Sequence, residues 1–169
     1  MQFVRCQRAA DSNSLGNGVT PIGPTLASHT GMFHDDGGHE ELTESIIGCG
    51  IRVHQYYGPG LFETVYRRSF VIELRSAGLR VETARRVPLI YRGVDLECVF
   101  FPDLIVEEVI VVELKAVEAI AHVHHTQVIT YLKLTGCAVG LLMNFNVSQL
   151  RDGIWRLIRP DLYRKKGGR

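Results

Sequence analysis

The chain is predicted to be an α/β domain, because helical and strand-like patterns follow each other along one continuous stretch of sequence. Two helical patterns come first, three strand-like segments follow, and a further helix and strand complete the order. A strand, helix and strand in succession form a crossover, which makes one pair of strands parallel. We therefore predict a mixed β-sheet flanked by helices.

The helices are identified by apolar residues that recur every three or four positions, and by breakers at their ends. In the first helix Leu42, Ile46 and Val53 follow this spacing, and Gly58-Pro59-Gly60 ends it. Gly78 lies where a C-cap glycine would end the second helix. The predicted helices cover residues 41–57, 62–77, 122–134 and 148–158.

The strand-like segments are recognised by their β-branched and apolar residues. Residues 109–116 are almost continuously apolar, which is typical of a strand buried on both faces. Pro88 interrupts the first segment, and Arg92-Gly93 forms a turn between the first and the second. The predicted strands cover residues 79–91, 94–106, 109–116 and 137–144.

The composition indicates one folded domain with tails. The 169 residues suit a single domain, and a hydrophobic content of 46% excludes a fully disordered chain. Residues 1–39 are rich in Gly, Ser, Asn, Thr and Pro without periodicity, so we predict a disordered N-terminal extension. The folded domain is expected over 40–160, with a basic C-terminal tail over 161–169.

Charge and cysteine usage limit the partners and the compartment. The formal net charge is +1, so nucleic-acid binding would need a local basic patch. No apolar run reaches the length of a membrane span, and Arg5 and Arg8 precede no apolar block of a secretory signal. Because the cysteines form no CxxC pair, we expect buried or free thiols and a cytoplasmic location. The cysteines are Cys6, Cys49, Cys98 and Cys137.

Two charged residues in the apolar segment 109–116 need an explanation. Glu113 and Lys115 are two positions apart, so on a strand they point to the same face. Burying a carboxylate without partners is costly, and such a group tends to take up a proton. One interpretation is a local Glu–Lys ion pair at a frayed strand end.

The other interpretation adds Asp103 and a metal ion. Two converging carboxylates repel each other, and a hard divalent cation such as Mg²⁺ relieves the repulsion with oxygen ligands and retained waters. Lys115 would then position or help to deprotonate an attacking water, and the ion would stabilise charge developing on a phosphate.

These residues resemble the motif of the PD-(D/E)xK nucleases. Pro102-Asp103 followed by Glu113-Leu114-Lys115 has the spacing of that signature, and Gly60, Glu63 and Tyr66 match the motif of the GxxExxY proteins, a branch of the superfamily. The resemblance covers about residues 42–160. It implies a restriction-endonuclease-like core with a mixed sheet flanked by helices.

The resemblance also implies roles for individual side chains. Asp103 and Glu113 would bind Mg²⁺, with Mn²⁺ as a substitute, and Lys115 would assist the water. Glu63 would add a further acidic group to the metal site, and Gln127, on the helix after the sheet, matches a polar position often found beside it. The aromatic body of the motif residue Tyr66 could simply pack in the core.

Two clusters of polar residues have open interpretations. The histidines could contact metal or phosphate, or form a polar helix start. The arginines could form a phosphate-contacting face, or a solvated helix face. These residues are His122, His124 and His125 in the first cluster, and Arg67, Arg68 and Arg75 in the second.

The metal-site interpretation and the resemblance favour an endo- or exonuclease. Its function would be Mg²⁺-dependent phosphodiester hydrolysis in DNA, in preference to RNA. The alternative is a non-catalytic nucleic-acid-binding or protein-interaction module that keeps the nuclease fold. An enzyme acting on a small molecule with the same carboxylates is a third class. Because the core has no separate recognition domain, a homodimer or a protein partner is expected to assist it.

Counting along the chain gives a geometric condition for the metal site. A two-residue loop at Glu107-Glu108 would pair Val106 with Val109, and Glu113 would then point away from Asp103. A three-residue turn, or a one-residue bulge, puts Asp103 opposite Glu113 instead. We therefore predict an odd loop or a bulge, with both carboxylates and the Lys115 amine on one face and Glu63 approaching that face.

Overall fold

The computed structural model describes residues 5–6 and 39–162, which form three α-helices and eight strands. The helices are α1 (Glu40–Tyr57), α2 (Glu63–Ser76) and α3 (His122–Thr135). The first four strands are β1 (Arg5–Cys6), β2 (Val81–Thr83), β3 (Val87–Tyr91) and β4 (Val94–Phe100). The others are β5 (Leu104–Val106), β6 (Ile110–Lys115), β7 (Val139–Asn144) and β8 (Ile154–Ile158).

The main sheet has five strands in the order β2-β5-β6-β7-β8. The central strand β6 pairs antiparallel with β5 and parallel with β7, because α3 carries the chain back across the sheet between them. The α/β prediction is therefore confirmed: a mixed sheet is flanked by helices, in agreement with a restriction-endonuclease-like core.

The two faces of β6 meet different helices. Ile110, Val112 and Leu114 pack in one cluster with the buried residues of α1 and α2. Val111 packs in the other cluster with buried residues of α3. Since side chains alternate along a strand, Glu113 and Lys115 belong to the face of Val111.

A second, smaller sheet has the order β1-β4-β3. Pro88 lies inside β3 rather than ending it, and this is tolerated because β3 is an edge strand that need not use every donor. The predicted segments 79–91 and 94–106 are each divided between the two sheets. The second division falls at Phe101-Pro102-Asp103, where the chain leaves β4 and enters β5.

The prediction of a helix over 148–158 is wrong. A short 3-10 helix covers Leu150–Gly153, and β8 follows it as an antiparallel neighbour of β7. Ile154 pairs with Met143, and Ile158 with Val139. Strand β8 satisfies the backbone donors and acceptors on the outer side of β7, which a helix at this place would leave unpaired.

The structure describes only parts of the predicted chain ends. Within the predicted extension 1–39, Arg5–Cys6 form a strand paired with β4, and residues 1–4 and 7–38 lie outside the described residues. The predicted tail begins inside the short 3-10 helix Pro160–Leu162, and residues 163–169 lie outside the described range. No helix in the described part of the chain has the length and apolar character needed to cross a membrane.

The cysteines do not all follow the prediction of thiols. Cys49 and Cys137 are free and buried, as expected. Cys98 is disulfide-bonded, so the prediction is wrong at this position.

Candidate active site

The β5–β6 hairpin has the register that a shared carboxylate site requires. Val106 pairs with Ile110, and Leu104 with Val112. The Val109 N–H nevertheless donates to the Val106 carbonyl at 3.1 Å, which closes a tight turn at Glu107-Glu108. Val109 is therefore an extra residue between the turn and the first pair of the ladder, which is a one-residue bulge. Continuing the pairing of Leu104 with Val112 by one residue puts Asp103 opposite Glu113. The predicted odd loop or bulge is confirmed.

The turn is held by an arginine from the chain before β2. Glu107 and Glu108 have φ angles of 50° and 62°, which side-chain-bearing residues seldom adopt. The Arg80 N–H and Nε groups donate to the two Glu107 carboxylate oxygens at 2.7 and 2.9 Å. The Glu107 N–H donates in return to the Arg80 carbonyl at 3.0 Å. These three bonds stabilise the turn despite its conformation.

Glu113 and Lys115 form a buried ion pair on β6. The Lys115 Nζ lies 2.6 Å from Glu113 Oε1, and the residues are 5% and 3% exposed. Glu113 Oε2 is buried without a hydrogen-bond partner among the described residues. Burial, and then the negative charge of Asp103, raise the pKa of Glu113 to about 7, although Lys115 opposes the shift. The frayed-end interpretation does not apply, because the pair is buried in the central strand.

Asp103 lies just before β5 and connects that strand to two other elements. Its Oδ1 accepts from Arg67 Nη1 of α2 at 2.7 Å. Its Oδ2 accepts from the backbone N–H of Leu114 on β6 at 3.0 Å. The second bond continues the contact between β5 and β6 beyond their last backbone pair, and it fixes the carboxylate beside Glu113.

The GxxExxY motif builds the start of α2. Gly60 has a φ of 100°, which favours glycine, where the chain turns from α1 towards α2. The Tyr66 hydroxyl donates to the Gly58 carbonyl at 2.6 Å and accepts from the Leu61 N–H at 3.1 Å. The buried Tyr66 ring stacks on Phe145 at 4.7 Å. Tyr66 therefore packs, as one interpretation held, and also clamps the loop that precedes Glu63.

Glu63 is close enough to the site to be influenced by its charges. Its pKa is raised, first by burial and then by the negative charge of Asp103, while Lys115 and Arg67 oppose the shift. The α2 helix nevertheless packs on the face of the sheet opposite to Glu113. Arg67 and Asp103 meet just outside β5, and α2 does not lie over the carboxylate face.

Gln127 is placed beside the site through a tyrosine. Its Nε2 donates to the Tyr131 hydroxyl at 2.9 Å, one helical turn further along α3. The Tyr131 hydroxyl in turn donates to the Phe101 carbonyl at 3.5 Å. Burial, and then the negative charge of Glu113, raise the pKa of Tyr131 to about 12. Tyr131 therefore keeps its proton at neutral pH, and Gln127 has no direct contact with the carboxylates among the described hydrogen bonds.

The histidine cluster acts at the start of α3. The Ala121 N–H donates to His124 Nδ1 at 3.1 Å, which satisfies a free helix-start donor. The His125 ring meets Trp155 edge-on at 5.6 Å. Burial, and then the positive charge of Lys115, lower the pKa of His124. The interpretation as a polar helix start is supported, and His124 also lies within the electrostatic reach of the site.

Asn144 is a supporting residue that the sequence analysis missed. It ends β7 opposite Lys115 and is 2% exposed. Its side-chain oxygen accepts from the Val117 N–H at 3.1 Å, and its Nδ2 donates to the Val117 carbonyl at 2.9 Å. These bonds fix the chain directly after Lys115. The available signal was an amide at the end of an otherwise apolar strand.

The donor set fits a divalent cation held by two carboxylates. Mg²⁺ is commonly bound by one or two carboxylates and keeps several waters. Glu113 Oε2 is buried without a hydrogen-bond partner in the described part of the chain, and the negative charges of Asp103 and Glu113 repel each other. Within residues 39–162, no group of three or more His, Cys, Asp and Glu side chains is arranged to hold a metal ion. Glu63 is thus not part of a preformed three-carboxylate centre.

A mixed sheet with Asp103, Glu113 and Lys115 on one hairpin defines a nuclease-like domain. Residues 40–157, well over half of the chain, match the family model of the PD-(D/E)XK nuclease superfamily. The chain belongs to this superfamily. No curated protein and no solved structure matches it. Membership suggests nuclease activity and implies nucleic-acid binding, and these nucleases generally use divalent metal ions.

Proposed function

We propose that this chain is a divalent-metal-dependent nuclease of the GxxExxY branch, which hydrolyses phosphodiester bonds in DNA in preference to RNA. The observation that carries the proposal is Glu113 Oε2, which is buried in the central strand beside Asp103 and has no hydrogen-bond partner within residues 39–162. A structural ion pair would need only one Glu113 oxygen for Lys115. The second oxygen is kept from water, and its burial costs free energy that a bound cation would offset.

In this proposal Asp103 and Glu113 hold Mg²⁺, or Mn²⁺ in its place. An ion bound there would supply positive charge against the phosphate and a water with a lowered pKa. Lys115, whose Nζ lies beside Glu113, holds the attacking water by a hydrogen bond. Glu63 modulates the charge of the site from α2, and the Gln127–Tyr131 pair forms its polar wall on α3.

One observation favours the alternative of a non-catalytic binding module. Both carboxylates already have cationic partners, since Arg67 contacts Asp103 and Lys115 contacts Glu113. In such a module these pairs would be permanent and would hold the hairpin against α2. A cytoplasmic location, and a homodimer or protein partner, remain predictions under either function.

A cleavage assay tests the proposal. Purified protein is incubated with Mg²⁺, Mn²⁺ or EDTA on linear, nicked, branched and single-stranded DNA and on RNA. We expect metal-dependent cleavage that Glu113→Gln and Lys115→Ala abolish. The control Glu118→Gln removes an exposed carboxylate of the same type three residues after Lys115, and it should cleave normally.

Thermal unfolding with and without Mg²⁺ separates metal binding from chemistry. The ion should raise the melting temperature of wild type and of Lys115→Ala, since lysine is not a ligand. Glu113→Gln and Asp103→Asn should lose this response. Retention of the response in Asp103→Asn would remove Asp103 from the site. A folded wild type that binds nucleic acid but cleaves no substrate with any metal would favour the binding module.

A further inference from the structure

A groove runs along α2 and opens beside Asp103. It has a volume of about 480 Å³, and α2 lines it with Arg67, Arg68 and Arg75. Thr83 and Ala84, at the end of β2, form part of the opposite wall. With three arginines and one aspartate, the groove has a formal charge of +2, whereas the whole chain has only +1. The local basic patch that a nearly neutral nucleic-acid-binding protein needs is therefore present here.

Two arginines of the groove lack the ion pairs that several other arginines of the described range form. Arg52, Arg80 and Arg159 each contact a carboxylate of this chain within 2.9 Å. Arg68 and Arg75 are exposed and form no ion pair with any residue of the described range 39–162. Two unneutralised guanidinium groups in one groove favour an anionic ligand from outside the chain.

The spacing of these arginines suits a chain of phosphates. Arg68 and Arg75 are seven residues apart, or about 10 Å along the helix axis. A nucleic-acid strand rises about 3.4 Å per nucleotide in a duplex, so this distance covers about three nucleotides. Between the two arginines, the exposed side chain of Ile72 offers an apolar surface for sugar carbons.

Arg67 belongs to the groove and to the candidate active site. Its Nη1 lies 2.7 Å from Asp103, with side-chain exposures of 36% and 11%. A cation held by Asp103 would release Arg67 towards the groove. A phosphate that takes Arg67 would conversely free Asp103 for a cation. Such mutual release makes the binding of the two ligands cooperative, and the coupling is reciprocal.

We propose that the α2 groove binds the phosphodiester backbone of a nucleic acid through Arg68 and Arg75. Arg67 acts as a positioning residue that exchanges Asp103 for a backbone phosphate when a divalent ion binds. This inference rests on the proposed function for the nature of the ligand. It adds the path of the substrate and a coupling between substrate and metal.

The first experiment measures binding without cleavage. A fluorescein-labelled single-stranded 20-mer and its duplex are titrated with protein in EDTA at several salt concentrations. The double variant Arg68→Gln/Arg75→Gln should bind about tenfold more weakly at moderate salt, with a smaller salt slope because two phosphate contacts are lost. The matched control Arg92→Gln/Arg151→Gln removes two exposed arginines outside the groove, and its binding should change less than twofold.

Two results would overturn the groove assignment. One is equal binding by the groove variant and the control variant. The other is a groove that captures a poly-glutamate peptide but not the oligonucleotides, which would indicate an acidic protein partner. Circular dichroism and melting curves confirm that both double variants are folded. Since Arg68 and Arg75 are exposed, their replacement should not unfold the domain.

The second experiment tests the role of Arg67. Mn²⁺ is titrated by calorimetry into the protein alone and into its complex with a phosphorothioate 12-mer, which resists hydrolysis. In wild type the oligonucleotide should tighten Mn²⁺ binding about fivefold or more, the lower end of typical coupling. Arg67→Gln should bind Mn²⁺ more tightly without oligonucleotide and show no further gain with it. An unchanged gain in Arg67→Gln would refute the exchange.

The outcomes separate this inference from the proposed function. If wild type cleaves nucleic acid and the groove variant binds and cleaves like its control, the groove assignment fails and the nuclease function stands. If wild type binds through Arg68 and Arg75 but cleaves nothing with any metal, the groove assignment stands and the nuclease function fails.

Discussion

Two β-hairpins of this domain, β3–β4 and β5–β6, have similar turns but very different surroundings. The β3–β4 hairpin turns at Arg92 and Gly93, with φ angles of 50° and 82°, and the β5–β6 hairpin turns at Glu107 and Glu108, with φ angles of 50° and 62°. Near its turn, the first hairpin exposes Ile90, Tyr91 and Val94. Every residue of β5 and β6 is buried.

The difference shows that burial, and not turn geometry, sets the pKa and the hydrogen-bond partners of a carboxylate. In the exposed hairpin, Asp95 accepts a local hydrogen bond from the Glu97 N–H at 2.8 Å and remains in contact with solvent. In the buried hairpin, Glu113 has a pKa raised to about 7, and one of its oxygens has no hydrogen-bond partner among the residues that the structure describes. Of these two carboxylates, only Glu113 would be stabilised by a bound cation, because solvent already surrounds Asp95.

The largest effect is expected from removing the cation of the buried pair. Lys115→Ala leaves the Glu113 carboxyl group buried without its cation, so that at pH 8 it stays charged and unpaired or takes up a proton. Either outcome should cost about 3–5 kcal/mol of unfolding free energy. Arg92→Ala in the exposed hairpin removes a guanidinium that stacks over Tyr91 at 5.4 Å, and it should cost less than about 1 kcal/mol. Urea unfolding measures both, and equal costs would contradict the comparison.

Truncation of one isoleucine in each hairpin compares how much packing contributes to the stability. Ile110 on β6 is fully buried, whereas Ile90 on β3 is 53% exposed. Ile110→Ala should destabilise the domain by about 2–5 kcal/mol through lost burial and the cavity left behind. Ile90→Ala should change the stability by less than about 0.5 kcal/mol. Denaturant midpoints of the two variants measure the difference, and a large cost at Ile90 would show that the small sheet is part of the cooperative core.

The pH dependence of stability distinguishes the carboxylates of the two hairpins. Because the pKa of Glu113 is raised from 4.5 to about 7 on folding, the folded state binds a proton more readily than the unfolded state. Without divalent metal, the unfolding free energy should therefore fall as pH rises from about 4.5 to 7, by about 3 kcal/mol, and level off above it. Glu113→Gln should remove this fall, whereas Asp95→Asn in the exposed hairpin should leave it in place.

The smallest effect concerns the turns themselves, where the hairpins are alike. Arg92 and Glu108 both have positive φ angles that glycine adopts without strain. Arg92→Gly and Glu108→Gly should each raise the stability by about 0.5–1 kcal/mol, because relief of strain exceeds the entropy that glycine adds. A similar gain in both, measured by thermal unfolding, would show that the turns differ only in what surrounds them.

Local sequence patterns were sufficient to predict much of the fold and the key register. Alternation on β6 put Glu113 and Lys115 on one face, and counting from Asp103 required the extra residue found at Val109. The helix predicted over 148–158 was wrong, because pairing with β7 decided the structure of that segment. Local periodicity does not contain such long-range pairing.

Other parts of the site depend on residues that are far apart in the sequence. Arg67 contacts Asp103 across 36 positions, and Asn144 binds Val117 across 27. Neither contact follows from a motif or a spacing. The sequence indicated arginines on α2 as a phosphate-binding or solvated face, but not that one of them reaches the candidate metal ligand.

By itself, the sequence determined most element types up to β7, the face shared by Glu113 and Lys115, and the superfamily to which the chain belongs. These properties arise from periodicity and from short motifs, which the backbone geometry of helices and strands fixes locally. Only the tertiary structure decided that one oxygen of Glu113 has no hydrogen-bond partner among the described residues, that Asp103 forms an ion pair with Arg67, and that α2 forms a basic groove beside them. Burial and electrostatic coupling are set by neighbours that packing brings together from distant segments, so no local pattern encodes them.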